Sequence, residues 1–294
     1  MNALSLAFLL VAADPDDGLA KKMLPVYVKE AETYSIAVES APKKALELNK
    51  EPVFAWANPT RDKGQQGVIF LWLRDGRPAA LICIFSHPFD KPTNRNVNHE
   101  LHALDPDKLL VTRSKGALTE WKPEAGLTRK GMPDAPAPAD TPAARLLQMK
   151  RLAAEFTGHS VDREQKKWEL RLLPTPLYRY PVSKTGVIDG ARFALVSNAG
   201  TDPEVLLLIE AKEDAGKIRW EYVCCRFSDW ELRVARKDKE VFASVPGGKN
   251  TTSHDPLHLY RNFSTRVVTA EGKLLARYRP AGPDWGELVP VEDK

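Results

Sequence analysis

The sequence predicts an α+β protein made predominantly of antiparallel β meanders with two amphipathic helices. Three observations carry this expectation. Apolar residues recur with a period of two, most plainly in the tetrapeptide Trp-Glu-Leu-Arg, which occurs at 168–171 and again at 230–233. In a strand that alternation sends Trp and Leu to one face and Glu and Arg to the other. Turn signals such as Asp75-Gly76 separate neighbouring β-favouring runs at hairpin distance. Two segments only, near 18–34 and 142–158, have apolar residues spaced by three to four, as a helix requires.

Residues 1–13 are apolar and uncharged and stop at Asp14-Pro15-Asp16-Asp17. The run is shorter than the roughly 20 residues a spanning helix needs, so no stable transmembrane anchor is expected. It matches the apolar part of an export signal, with Ala12 and Ala13 placed for cleavage, although the usual leading Lys or Arg is missing. The expected location is periplasmic or secreted. A buried N-terminal segment in a cytoplasmic protein is the alternative.

Residues 14–132 read as a helix followed by a β lobe. Leu19, Met23, Val26, Ala31 and Tyr34 mark the helix, and strands are expected at 34–38, 52–56, 67–73, 79–85, 96–104 and 109–113. The runs at 67–73 and 79–85 are apolar on both faces, which places them centrally in a sheet covered on each side. Residues 133–165 comprise a Pro-rich extended connector and a second helix. Thr141 or Asp140 suits its cap and Pro142 its first turn, while Leu146, Met149, Leu152 and Phe156 form a stripe that ends near Gly158. Residues 166–246 read as a second β lobe, with strands at 168–173, 191–197, 204–212, 219–227, 230–236 and 241–245. Residues 247–294 are loop-rich, with a last strand at 265–270.

Composition narrows the function classes. The 43 basic and 39 acidic residues are interspersed and leave a net charge of +4, which gives no field for nucleic acid. Cys83, Cys224 and Cys225 are odd in number, and the adjacent pair would face opposite ways in a strand, so they read as buried apolar side chains rather than a disulfide framework. The chain has no GxGxxG after a strand, no Walker lysine loop, no Gly-x-Ser-x-Gly elbow and no spaced Cys/His zinc set, so no cofactor or metal is implied.

Several stretches together carry a resemblance: Gly67-Val68-Ile69-Phe70-Leu71-Trp72 with Asp75-Gly76-Arg77-Pro78, the segment His99-Glu100-Leu101-His102, Ala135-Pro136-Ala137-Pro138 with Arg145-Leu146-Leu147-Gln148-Met149, the block at 168–180, and Gly200-Thr201-Asp202-Pro203-Glu204 leading to Glu210-Ala211. In this order they resemble an uncharacterised family of exported proteins from planctomycete-type bacteria, over roughly residues 50–245. The resemblance implies export and assigns no activity.

The residues that bear chemistry are few. In a strand, Glu100 and His102 share a face and form a carboxylate–imidazole pair suited to general-base work, while His99 points away. Asp189, Asp202, Glu204 and Glu210 contain enough carboxylates for an acid and base pair, although Asp189-Gly190 and Asp202-Pro203 read equally as turns. His254 and His258 share metal-compatible spacing only in a helix, which Asp255-Pro256 breaks. Tyr178-Arg179-Tyr180 places a guanidinium between two rings, suited to an anion or a sugar face, or to an edge strand with Arg179 paired to Glu169 or Asp189.

The leading expectation is a non-catalytic module that binds a small ligand or an envelope protein through Arg171, Tyr178, Arg179, Tyr180 and Asp189. The alternatives are an envelope hydrolase using Glu100, His102, Asp202 or Glu204, and a purely structural protein.

Overall fold

The computed structural model describes residues 17–61, 64–114, 121–181, 186–245, 255–280 and 286–291. The N-terminal apolar run and His254 lie outside them. Among the described residues no helix is long and apolar enough to cross a membrane.

Helix α1 (Asp17–Ala31) is followed by β1 (Tyr34–Val38), β2 (Ala41–Ala45), β3 (Glu47–Asn58), β4 (Gln65–Arg74), β5 (Arg77–Pro88), β6 (Asn94–Ala103) and β7 (Leu109–Arg113). The short β8 (Lys130–Gly131) precedes helix α2 (Pro142–Ala153). Then come β9 (Phe156–Val161), β10 (Lys167–Leu172), β11 (Tyr178–Pro181), β12 (Val187–Ser197), β13 (Pro203–Asp214), β14 (Lys217–Arg226), β15 (Glu231–Arg236) and β16 (Lys239–Ser244). The chain closes with β17 (Tyr260–Thr269), β18 (Leu274–Pro280) and β19 (Gly286–Pro290).

All strand pairs in the three sheets are antiparallel. The first sheet runs β2-β1-β7. A seven-stranded sheet runs β19-β18-β17-β6-β5-β4-β3, and a nine-stranded sheet runs β16-β15-β9-β10-β12-β13-β14-β8, with β11 also on β12.

Period-two alternation builds the layers. In β4 and β5, Phe70, Trp72, Ile82 and Ile84 pack under α1 and the three-stranded sheet, while Ile69, Leu71, Leu81 and Cys83 face the nine-stranded sheet. In β12 to β14, Phe193, Leu207, Ile209 and Cys224 pack under Met149 and Leu152 of α2, while Ala194, Leu206, Leu208 and Cys225 complete the core between the sheets. Cys224 and Cys225 therefore face opposite ways, and both are free and buried.

The same order of elements occurs twice. A helix is followed by a strand (β1, β9), then a three-stranded meander (β4-β5-β6, β12-β13-β14), then a strand (β7, β15) that returns to pair with the first. The two meanders pack face to face, and each has its own helix on the outer side.

Four expectations need correction. The second helix ends at Ala153, and Phe156 opens β9, where it is buried. Asp189-Gly190 is not a turn but lies within β12, because the Tyr180 ring packs where a Cβ of residue 190 would sit, 2.4 Å from its ring carbons. Trp230 precedes β15 rather than opening it. The C-terminal segment contributes three strands, and β17 joins the two-lobe frame by pairing along β6. Its alternation is weak because β17 mixes Arg, Asn, Ser and Thr among its apolar residues.

Candidate functional site: a polar cavity at the end of the sheet interface

At one end of the interface the apolar core gives way to a cavity of about 310 Å³. That is at the small end of the ~300–1,000 Å³ range of ligand pockets. Its floor comes from strands. Glu100 of β6 and Asn262 of β17 are directly opposite in register and both line it, with Phe85 of β5 beside them. Its walls come from loops: Arg61 and Gln65 around the β3–β4 connection, Asp202 before β13, and Phe227, Ser228, Asp229 and Trp230 between β14 and β15. Asp162, Arg163 and Glu164 of the β9–β10 turn complete the rim.

The two copies of Trp-Glu-Leu-Arg meet here. The Trp168 and Trp230 rings stack with centroids 6.3 Å apart and planes at 27°. The Trp168 indole nitrogen donates to Asp162 Oδ2 at 2.9 Å, while backbone amides of Glu164 and Lys166 donate to Oδ1. The Arg61 guanidinium lies 3.6 Å from the Trp230 ring centroid, and the Lys166 ammonium lies 3.7 Å from that of Trp168. Both indoles thus carry a cation, as the negative ring face favours.

Arg61 also donates to Asp202 Oδ2 at 3.3 Å and to Glu204 Oε1 at 3.1 Å. The loops approach closely enough for this because residue 200 is glycine: a Cβ there would lie 2.5 Å from the Ala57 carbonyl oxygen. Thr201 N donating to Ala57 O, and the Thr60 hydroxyl donating to Ala199 O, tie the same loops together.

Burial and mutual repulsion govern the acids. Burial pushes the Asp202 carboxyl up to about 8; Arg61 draws it down and Glu204 pushes it further up. Burial likewise drives Glu100 well above the usual carboxylate range, Asp202 adds repulsion, and the Tyr260 hydroxyl opposes the rise by donating to Glu100 Oε1 at 2.5 Å. A protonated carboxyl near neutral pH can donate a hydrogen bond or a proton. The Asn262 amide donates to Asp229 Oδ2 at 3.1 Å.

Of the residues singled out from sequence, Glu100 and Asp202 line this cavity, and Glu204 reaches it through Arg61. Glu100 and His102 do share a face of β6, both against Tyr260, but His102 is not in the cavity wall. Its Nδ1 donates to Ala103 O at 2.7 Å, and burial lowers its pKa to about 4, so it is neutral at pH 7. His99 faces the opposite side, toward Tyr34 and Glu30. His258 sits 3.3 Å from Asp255.

Arg171, Tyr178, Arg179, Tyr180 and Asp189 do not line this cavity. Arg171 donates to Gly200 O. Tyr178 stacks on Tyr180, whose buried hydroxyl donates to Glu210 Oε1 at 2.5 Å. Glu210 also receives Arg77 through two hydrogen bonds. Asp189 is 1% exposed and pairs with Arg145 and Arg179. The Arg179–Asp189 pair is the edge-strand pairing expected from sequence, ten residues apart across β11 and β12. Arg145, from helix α2, is the partner that no local spacing reveals.

Arg61, Asp229, Trp230 and Asn262 are cavity residues that site reasoning from sequence missed. The polar pair Ser228-Asp229 immediately before a strand tryptophan was the signal for two of them; Arg61, after the Asn58-Pro59 turn, carried none.

Among the described residues no group of three His, Cys, Asp or Glu side chains is placed to hold a metal ion. No protein-family model, curated protein or solved structure matches the chain.

Proposed function

We propose that this is an exported, non-catalytic binding module whose ligand occupies the cavity bounded by Glu100, Asp202, Arg61 and Trp230. The observation that supports the reading best is convergence: two β lobes and the β17 strand meet around one half-open polar cavity, and Trp230 in its wall stacks on Trp168 of the other Trp-Glu-Leu-Arg copy. A concave space where polar groups converge around perturbed acids is a candidate ligand site, although its lining is more polar than that of most small-ligand pockets. The apolar run at 1–13 and the family resemblance support export. A thermal-shift screen of small cations, sugars and dicarboxylates tests binding, followed by titration of responders on wild type and on Trp230→Ala. One class should raise the melting temperature, and the Trp230→Ala protein should lose that response. A flat screen overturns the reading. Sequencing the mature N-terminus after expression in a Gram-negative host tests export, with Asp14 expected first.

The raised acids favour a second reading, hydrolysis of an envelope substrate with Glu100 and Asp202 as acid and base. It requires turnover of a polysaccharide or peptidoglycan fragment that Glu100→Gln and Asp202→Asn each abolish. Binding without turnover removes it.

A further inference from the structure

We infer that the cavity selects a small organic cation carrying an ammonium or guanidinium group. The inference rests on the binding reading above and specifies the ligand's charge.

The first argument is charge balance. Five carboxyl side chains line the cavity (Glu100, Asp162, Glu164, Asp202 and Asp229) against two arginines, Arg61 and Arg163. Arg61 is already engaged by Asp202 and by Glu204, which is buried behind it. Two buried acid oxygens around this guanidinium, Asp202 Oδ1 and Glu204 Oε2, have no hydrogen-bond partner, and Asp229 Oδ1 on the adjoining wall has only an ion-pair contact with Arg226 at 3.9 Å. Buried acceptors of this kind are stabilised by a charged donor. The protons retained by Glu100 and Asp202 are the ones an incoming cation would displace.

The second argument comes from what already occupies the site. Arg61 is a guanidinium 3.6 Å over the Trp230 ring centroid and paired with two carboxyl groups, which is the arrangement a ligand guanidinium would adopt. A sugar would need a free aromatic face; Trp230 already contacts both Trp168 and Arg61, which leaves only Phe85 and Phe227 in the lining. An anion would be opposed by these acids once Glu100 and Asp202 give up their protons. The buried wall of Glu100 and Phe85, with Asp229 beside it, remains for a second cationic group.

The test is isothermal titration of the full chain with agmatine and putrescine as cationic probes, glucose as neutral and succinate as anionic. Agmatine or putrescine should bind at least about tenfold more tightly than glucose or succinate, a difference of about 1.4 kcal/mol. Glu100→Gln and Asp229→Asn, shown folded by circular dichroism and melting temperature, should each weaken the cation by about tenfold. Glucose or succinate binding that is lost in Trp230→Ala overturns the charge assignment and leaves the cavity reading intact. Cation binding unchanged in both acid variants places the cation elsewhere and overturns the inference. No binding of either cation overturns it as well.

Discussion

Trp168 and Trp230 lead two copies of the same tetrapeptide and stack against each other at the mouth of the cavity, 6.3 Å between ring centroids. The pairing joins the start of β10 to the β14–β15 loop, and its outer members are Lys166 and Arg61. Aromatic pairs of this kind contribute ~0.5–1.5 kcal/mol beyond area burial. Urea unfolding of Trp168→Ala, Trp230→Ala and the double variant should therefore return a coupling energy in that range. Additive single effects would mean that the contact is incidental.

Asp202 governs an alkaline loss of stability. Its folded-state value of about 8 lies above the usual aspartate value of 3.8. The folded protein holds that proton more tightly than the unfolded chain, so stability falls as pH rises from about 4 to about 8 and then levels. Asp202→Asn should flatten this limb by on the order of 3 kcal/mol between pH 5 and pH 8. Parallel limbs for wild type and variant in urea titrations would exclude Asp202 as the source.

The opposite limb belongs to the other side of the seven-stranded sheet. Glu30 is buried beside Arg113, Arg266 and His99, at 3.1, 2.5 and 3.2 Å. Burial alone would raise its pKa, but the His99 contact and the charges of Arg266 and Arg113 hold it at about 2. Burial keeps His99 neutral down to about 4. Both groups bind protons more readily in the unfolded chain, so stability declines as pH falls below about 6.5 for His99, then from about 4.5 through 2 for Glu30. Glu30→Gln should cost about 1.5–3 kcal/mol at pH 7, since it removes the shared carboxylate of the partly buried Arg113 and Arg266, and should shrink the lower part of the acid limb. A variant as stable as wild type at pH 7 would contradict the assignment.

Arg192 sits in β12 with 0% exposure, and Nε, Nη1 and Nη2 have no hydrogen-bond partner. Burial lowers its pKa to about 10, and the groups that oppose the shift are Tyr180, Cys225, Tyr178 and Glu210. Replacing buried ion pairs by apolar chains of similar volume is often neutral or stabilising by ~1–4 kcal/mol, and a guanidinium without a hydrogen-bond partner has more to gain. Arg192→Met should accordingly raise the melting temperature; a lower one would show that the guanidinium holds the surrounding groups together.

Gly190 is required by a ring. A Cβ there would fall 2.4 Å from Tyr180 Cε2 and Cζ, in a strand where neither partner can withdraw. Gly190→Ala should cost ~1–3 kcal/mol through overpacking and displace the Tyr180 hydroxyl from Glu210. An unchanged unfolding midpoint would refute this.

The order of strands was legible because burial in a sheet writes itself into sequence at every second residue. The runs at 67–73 and 79–85 are apolar on both faces because helix and sheet cover one and the opposing sheet covers the other. Local chemistry also set the start of α2, where Thr141 accepts from the Ala144 amide and Pro142 occupies the first turn. Period two likewise separated His99 from His102 and Cys224 from Cys225. The site was legible only in fragments. Glu100 and Asp202 stood out as acids in polar segments, but pairing Glu100 with Asn262 depends on the register of β17 on β6, and bringing Asp202 to Arg61 depends on Gly200 letting two loops touch. Sequence alone thus determined which residues turn inward, because alternation is a property of each strand by itself. Tertiary structure alone decided which inward acids share a cavity and which are consumed by distant ion pairs, as Glu210 is by Arg77 and Asp189 is by Arg145, because those partners lie far apart in the chain; only the Arg179–Asp189 pair, on neighbouring strands, was within reach of sequence.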